Sequence, residues 1–561
     1  MDPQSKVENG AGPLPAAADS EPAPTWETAF RVMRGATAAV LQAQQANLTA
    51  AARLTTLMGS AYARLWGVLP SQEARPAEAR FKDEAWRENP AYDAMRQTYL
   101  ITAQWMVDVA DAWQAIDPAL HRRAAFYTRQ LADALSPTNF ALTNPAVAQE
   151  TLRTGGANLL RGAQNFLQDV QKGRVSQVPE DSFQVGKDLA VTPGKVVYRN
   201  KLIELMQYAP ATETVRAAPM LMIPPWINKY YVMDMRPDNS MFKYLVDNGF
   251  TVFAISWKNP DQSVLDLEWE DYMTLGPLEA LRVIKAITGA DKVNLAGYCL
   301  GGIALQYMLA YLAAVNDAAP NTAAFFATHQ DFGDVGEVAA FISNPEVRLL
   351  EWLMDLGGGY LDGRNMAATF NMLRANDLFW PYVINNYLMG KEPPALDLLY
   401  WNSDGTRVPK KVHSFLLRNF FLTDNSARPD TLKLKGVGID MRRITVPTYT
   451  VATAQDHIVP WKGAFKMRQR VSGPVRFILG ESGHIAGIIN PPGKRAYWFN
   501  ESDTTDPDVW LAGATQPKGS WWPDWVAWLR DRSGDLVAPP PLGSAEFPPL
   551  MDAPGTYVLE Q

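Results

Sequence analysis

The sequence predicts an α/β fold preceded by a helical N-terminal domain. Three observations carry this: a first third with helical spacing, short β-rich runs alternating with helical patterns after about residue 186, and a Gly-rich string at a strand-to-helix junction. With 561 residues, the chain is long enough for two or three domains. Hydrophobic residues make up 47% and charged residues 20%, an ordinary globular balance, while 18 tryptophans imply extensive aromatic packing.

Residues 1–25, rich in Pro, Ala and acidic side chains, are predicted to form a disordered tail, and they lack the basic start and apolar run of a secretory signal. The helical domain is expected over 26–185. Within it, Trp26 to about Leu69 is Ala- and Gln-rich with helical spacing, and further helices are expected over Ala85–Ala115, Pro118–Leu135 and Ala146–Val170. Turn-like Ser-Pro-Thr-Asn at 136–139 and Thr-Asn-Pro at 143–145 separate them.

The remainder, 186–561, has the alternation of a parallel sheet: β-rich runs at Pro219–Ile223, Thr251–Trp257, Val293–Tyr298, Ala323–Thr328, Val446–Ala452 and Val475–Leu479, with helical patterns such as Leu275–Ile287 and Ile303–Val315 between them. Residues 330–440 break the alternation. Their own helices (Val347–Leu356, Met366–Leu373, Tyr382–Met389) and aromatics fit a cap inserted over an active site.

The net charge of −7 argues against a nucleic-acid surface, which needs clustered Lys and Arg. No run of ~18 uninterrupted apolar residues exists, so no transmembrane segment is expected and a cytoplasmic protein is. No HExxH, GxxxxGK[ST] or GxGxxG string occurs, so neither metal nor cofactor is expected. The single cysteine excludes an intramolecular disulfide.

That cysteine stands in Gly297-Tyr298-Cys299-Leu300-Gly301-Gly302, directly after the apolar run 293–296 and before a helical pattern. A nucleophile elbow has this form: a strained turn exposes the reactive atom at a helix N-terminus, and flanking glycines remove clashes. The helix amides favour a thiolate there. The plainer reading, a buried small hydrophobe in a Gly-rich turn, leaves the sole cysteine at the centre of an elbow by accident. The elbow marks the α/β part as an α/β-hydrolase catalytic domain. Its oxyanion hole is expected from the Leu300 amide and a second amide, that of Trp226 or Ile227, in Met222-Ile223-Pro224-Pro225-Trp226-Ile227-Asn228.

That scaffold takes its acid and base later in the chain, each on a loop after a strand. Asp456 follows the run ending at Ala452, and His484 follows the run ending at Leu479. His457 competes as base, but as the neighbour of Asp456 it points to the other side of an extended loop. Glu481 shares a loop with His484 and ranks below Asp456 as the orienting acid. Surface or packing roles are expected for His121, His329 and His413. Trp226, Tyr298, His457 and Trp401 are candidate substrate-pocket residues, although core packing is the default for cap aromatics.

With these strings in hand, the chain resembles a class I polyhydroxyalkanoate synthase over nearly its whole length after the tail. The matching segments are Ser136–Phe140 with Thr143–Pro145, Pro224–Asn228, the elbow, Asn371–Ala375, Trp380–Val383, Tyr400–Asp404, Asp456–Trp461, and Ser482–Gly487 with Asn490–Pro492. The resemblance implies a triad of Cys299, Asp456 and His484. It also implies (R)-3-hydroxyacyl-CoA substrates joined to a growing polyester chain, a homodimer, and action on granule surfaces alongside granule-associated proteins. Tyr298 and Leu300 around the cysteine look like the class preferring short acyl chains. A thioesterase or polyester depolymerase would use the same triad with water as acceptor, and the run of motifs argues against it. A non-catalytic granule-coating protein would have no need of the three residues in order.

Overall fold

The computed structural model describes residues 26–65, 78–115 and 117–561. The tail expected over 1–25 and the last residues of the first expected helix, 66–69, lie outside the described residues.

Five long helices make up the N-terminal region: α1 (Trp26–Leu65), α2 (Pro90–Asp111), α3 (Pro118–Ala134), α4 (Pro145–Thr154) and α5 (Ala157–Lys172). Their limits follow from local chemistry. Asn89 and Asn144 each turn a side-chain oxygen onto otherwise unpaired first-turn amides, and each precedes a proline whose fixed φ suits the first helical position. The segment expected as one helix over Ala146–Val170 is therefore two, because Gly155 and Gly156 at φ 58° and 87° close α4 before α5 begins. Similarly, Ala85–Ala115 divides at Asn89-Pro90.

The α/β part is built on ten strands: β1 (Gly194–Arg199), β2 (Ile203–Tyr208), β3 (Met220–Ile223), β4 (Val252–Trp257), β5 (Val293–Tyr298), β6 (Pro320–Phe326), β7 (Thr448–Thr453), β8 (Val475–Gly480), β9 (Tyr497–Phe499) and β10 (Met551–Asp552). They lie in the order β9-β8-β7-β6-β5-β3-β4-β2-β1-β10. The six from β8 to β4 run parallel, and the strands outside them pair antiparallel. All six expected runs are strands here, with ends shifted by at most a few residues. The flanking strands β1, β2, β9 and β10 were not foreseen.

Alternate residues of the parallel strands feed two apolar clusters on opposite faces, as the two-residue period requires. Leu221, Ile223, Phe253, Leu295 and Phe325 pack on one side, and Met220, Met222, Ala254, Ala296 and Phe326 on the other. Each of the larger side chains, when fully buried, contributes on the order of 1.5–3 kcal/mol. Helix α6 (Leu300–Ala314) is buried around most of its circumference, which fits its almost unbroken apolar sequence.

Between β6 and β7 the chain leaves the sheet. This insertion contains helices Asn344–Leu356, Gly363–Leu373, Asp397–Ser403 and Lys410–Leu416 and wider π-type turns at Val383–Leu388 and Leu417–Phe421. The first two expected helices fall within these elements, whereas the third, Tyr382–Met389, is largely the π-type turn. Helix α5 lies against that turn at backbone distance: a Cβ at Gly162 would sit 1.8 Å from the Tyr387 carbonyl oxygen. Asn158 and Asn165 donate to the Leu388 and Asn386 carbonyls, and Asn386 donates to that of Ser176. No described helix is long and apolar enough to cross a membrane.

Candidate active site

At the end of β5 the backbone turns abruptly into α6 through Cys299, which holds φ 53° and ψ −118°. A non-glycine residue there stores on the order of 1–3 kcal/mol of strain. Neighbouring contacts hold it: the Cys299 amide donates to Phe326 on β6, and the Cys299 carbonyl accepts from Gly302 and Ile303. The glycines are dictated by space. A Cβ at Gly297 would lie 2.6 Å from the Gly301 carbonyl oxygen, one at Gly301 2.0 Å from the Ile223 carbonyl oxygen, and one at Gly302 2.0 Å from Thr328 Oγ1. The thiol is half-buried, at the junction of the two core clusters.

Asp456 and His484 meet across the ends of β7 and β8. His484 Nδ1 lies 2.7 Å from Asp456 Oδ2, and the amides of Ile458 and Val459 each donate to Oδ1 at 2.9 Å. A carboxylate only accepts, so the shared proton sits on Nδ1 and Nε2 is left for the thiol. Burial opposes charge on His484, but the charges of Asp456 and Cys299, with hydrogen bonds donated to both, push it up to about 10. Burial likewise works against the Asp456 carboxylate and is outweighed by His484 and the two amides, which hold it below the usual range. Asp456 thus pairs with His484 and not with His457.

The remaining histidines are distinct. His457 faces Arg374 and Asp377 of the insertion, has no partner for Nδ1 among the described residues, and is pulled to about 4 chiefly by burial. His329 is buried against Phe332 and Phe421, within electrostatic reach of Asp456 and His484, and burial again lowers it to about 4. His413 is buried in the insertion, and His121 pairs with Asp111.

Of the expected pocket residues, Tyr298 is buried with its ring 5.6 Å from that of His484, and its hydroxyl donates to the His484 carbonyl. Trp226 packs in an aromatic cluster with Trp257, Trp269 and Tyr272. Trp401 donates its indole N–H to the Lys229 carbonyl at 2.6 Å. Glu481 does not contact His484 through any hydrogen bond among the described residues.

The loop after β3 abuts the elbow at Gly301, whose closest neighbours are Ile223 and Pro224. The amides of Trp226, Ile227 and Leu300 donate to no described residue, which leaves them for a ligand. The carbonyls of this loop are occupied: Thr406 of the insertion donates its hydroxyl to Trp226 and its amide to Ile227. Sequence reading had no signal for Thr406, because it lies 180 residues beyond Trp226 and inside the segment that breaks the alternation.

The sheet order, the elbow and the post-strand places of Asp456 and His484 define a protein of the α/β-hydrolase fold with cysteine at the elbow. Residues 219–491 match the alpha/beta hydrolase fold, and residues 77–245 match the family described as poly-beta-hydroxybutyrate polymerase (PhaC) N-terminus. The chain is 41% identical over 520 residues to a poly(3-hydroxyalkanoate) polymerase of Methylorubrum extorquens, covering 90% of this chain and 86% of that protein. It is 40% identical to a poly(3-hydroxyalkanoate) polymerase subunit of Cupriavidus necator (89% and 86% covered), and 42% identical to one of Rhizobium meliloti (86% and 79% covered). The chain belongs to the poly(3-hydroxyalkanoate) polymerase family.

Proposed function

We propose that this enzyme joins (R)-3-hydroxyacyl groups from their CoA thioesters into polyester through a covalent thioester on Cys299. The observation that carries the reading is a buried Asp456–His484 pair that leaves Nε2 free for a thiol on a strained elbow. His484 takes the Cys299 proton, and the sulfur attacks the acyl-CoA carbonyl. The oxyanion is stabilised by the Leu300 and Ile227 amides. The bond to CoA sulfur then breaks, and CoA leaves with the proton from His484. One thioester replaces another, so the acyl group stays activated. A 3-hydroxyl, losing its proton to His484, then attacks the Cys299 thioester and forms the ester bond, returning the thiol.

On this reading the insertion serves as a cap over the site, and short acyl chains are preferred. A homodimer and a place on the polyester granule surface, alongside granule-associated proteins, complete the proposal. Exposed Leu152, Leu160, Leu167 and Val170 on α4 and α5 support contact with an apolar polymer. The test is incubation with (R)-3-hydroxybutyryl-CoA, following CoA and insoluble polyester together. Polymer with stoichiometric CoA is expected; CoA with only free 3-hydroxybutyrate would make the protein a thioesterase.

A further inference from the structure

The loop that carries the Ile227 amide is stitched to the insertion residue by residue. Trp401 Nε1 donates to the Lys229 carbonyl at 2.6 Å, and the Tyr231 hydroxyl donates to Asp404 at 2.9 Å. Asn228 pairs with Gly405 as an antiparallel bridge. Thr406, 2% exposed, closes the ladder: its amide reaches the Ile227 carbonyl at 3.2 Å, and its hydroxyl reaches the Trp226 carbonyl at 2.6 Å. The next residue, Arg407, is anchored by its amide to Asn259 in the loop after β4.

The Trp226 carbonyl and the Ile227 N–H belong to one planar trans peptide and point in opposite directions. A hydroxyl that holds the carbonyl on one side therefore sets the direction of the N–H on the other. We infer that Thr406 is a positioning residue: by gripping the Trp226 carbonyl, it aims the Ile227 amide at the oxyanion formed on attack by Cys299. The second donor, Leu300, owes its direction to the elbow and needs no help from the insertion. One half of the oxyanion hole is thus built by the hydrolase core and the other half is set by the insertion. The oxyanion hole is complete only while 401–406 stays docked. This inference rests on the functional reading above.

The test uses the full-length protein in single-turnover CoA release from (R)-3-hydroxybutyryl-CoA, with iodoacetamide alkylation of Cys299 as a reading of the nucleophile that needs no oxyanion hole. Thr406→Val keeps the shape and removes the donor. Its acylation rate is expected to fall by about 10- to 100-fold, less than the ~10²–10³ that loss of a whole donor costs, with substrate half-saturation and alkylation unchanged. Thr406→Ser is expected to restore the rate to within about threefold, because the hydroxyl returns. Tyr231→Phe, which removes a rung without touching this peptide, is expected to cost less than about threefold. A Thr406→Val rate equal to wild type would overturn the inference. So would equal losses in the Val and Ser variants, equal losses in Val and Phe, or alkylation falling in step with acylation. A wild type that forms no acyl-Cys299 species would overturn the functional reading, and this inference with it.

Discussion

Replacing Asp456 by Asn keeps a buried side chain of the same shape and removes its charge. Asn Oδ1 can still accept from the Ile458 and Val459 amides, so Nδ2 is turned toward His484 Nδ1. Two donors cannot share that contact; the imidazole must move its proton to Nε2, the side that receives the thiol proton. Electrostatics act in the same direction. His484 is held at about 10 against burial, with Asp456 the leading upward influence. His413, buried with no charged partner, lies at about 4. Without Asp456, the leading upward influence is gone and burial pulls the imidazole down. The expected loss in acyl transfer is about 10³–10⁴-fold, or about 4–5.5 kcal/mol of transition-state stabilisation. The assay is CoA release from (R)-3-hydroxybutyryl-CoA, and alkylation of Cys299 by iodoacetamide should be slower in the variant than in the wild type at the same pH. A variant within tenfold of wild type would refute the pairing of Asp456 with His484 as the source of reactivity.

Other substitutions test separate features. Cys299→Ala should abolish CoA release, with at least ~10³-fold loss, while leaving circular dichroism and melting close to wild type. Gly301→Ala forces a methyl against the Ile223 backbone, which cannot yield as a side chain could, and should cost about 1–3 kcal/mol or more in urea unfolding together with most of the activity. Burial raises Asp234 to about 6, against hydrogen bonds from Ser240 and Thr192 to Oδ1, and leaves Oδ2 without a partner. Because the folded-state value lies above the unfolded one, this group's penalty is absent below about pH 4, grows through about 4–6 and is full above that. Asp234→Asn should therefore raise stability by about 3 kcal/mol at pH 7 and by nothing below about pH 4. A gain independent of pH, or a loss at pH 7, would contradict the assignment of the penalty to the carboxylate.

What could be read from sequence is what is encoded locally. The parallel strands announce themselves as apolar runs, and Cys299, Asp456 and His484 each follow such a run closely, so strand, turn and side chain fall in one string. Strand β2 was hidden because Glu204 and Gln207 interrupt its apolar run. Glu204 is fully buried and is compensated by Arg199 and by the amides of Thr556 and Tyr557, some 352 residues downstream. No window of sequence contains both halves of that arrangement. The same holds for Thr406, whose meaning depends on the loop it grips, and for His329, which reads as an isolated histidine until the sheet sets it beside Asp456 and His484. Gly155-Gly156 was legible in principle, since paired glycines end helices, and it explains why one expected helix became α4 and α5.

The contact of α5 with the π-type turn brings main chain against main chain at Gly162, with asparagine amides capping carbonyls on the opposite element and the Tyr387 ring set against Phe166 with its hydroxyl on Asp169. Such a joint fixes spacing to a fraction of an ångström and tolerates almost no variation in the residues that form it. The N-terminal helices are thereby tied directly to the insertion, and Arg123 and Arg129 add ion pairs to Glu346 and Glu337 there. Chimeras between family members should accordingly exchange the N-terminal region and the insertion as a single cassette, with the strands and the elbow left in the recipient. A transplant that splits this pair would open the joint before it altered any residue at Cys299.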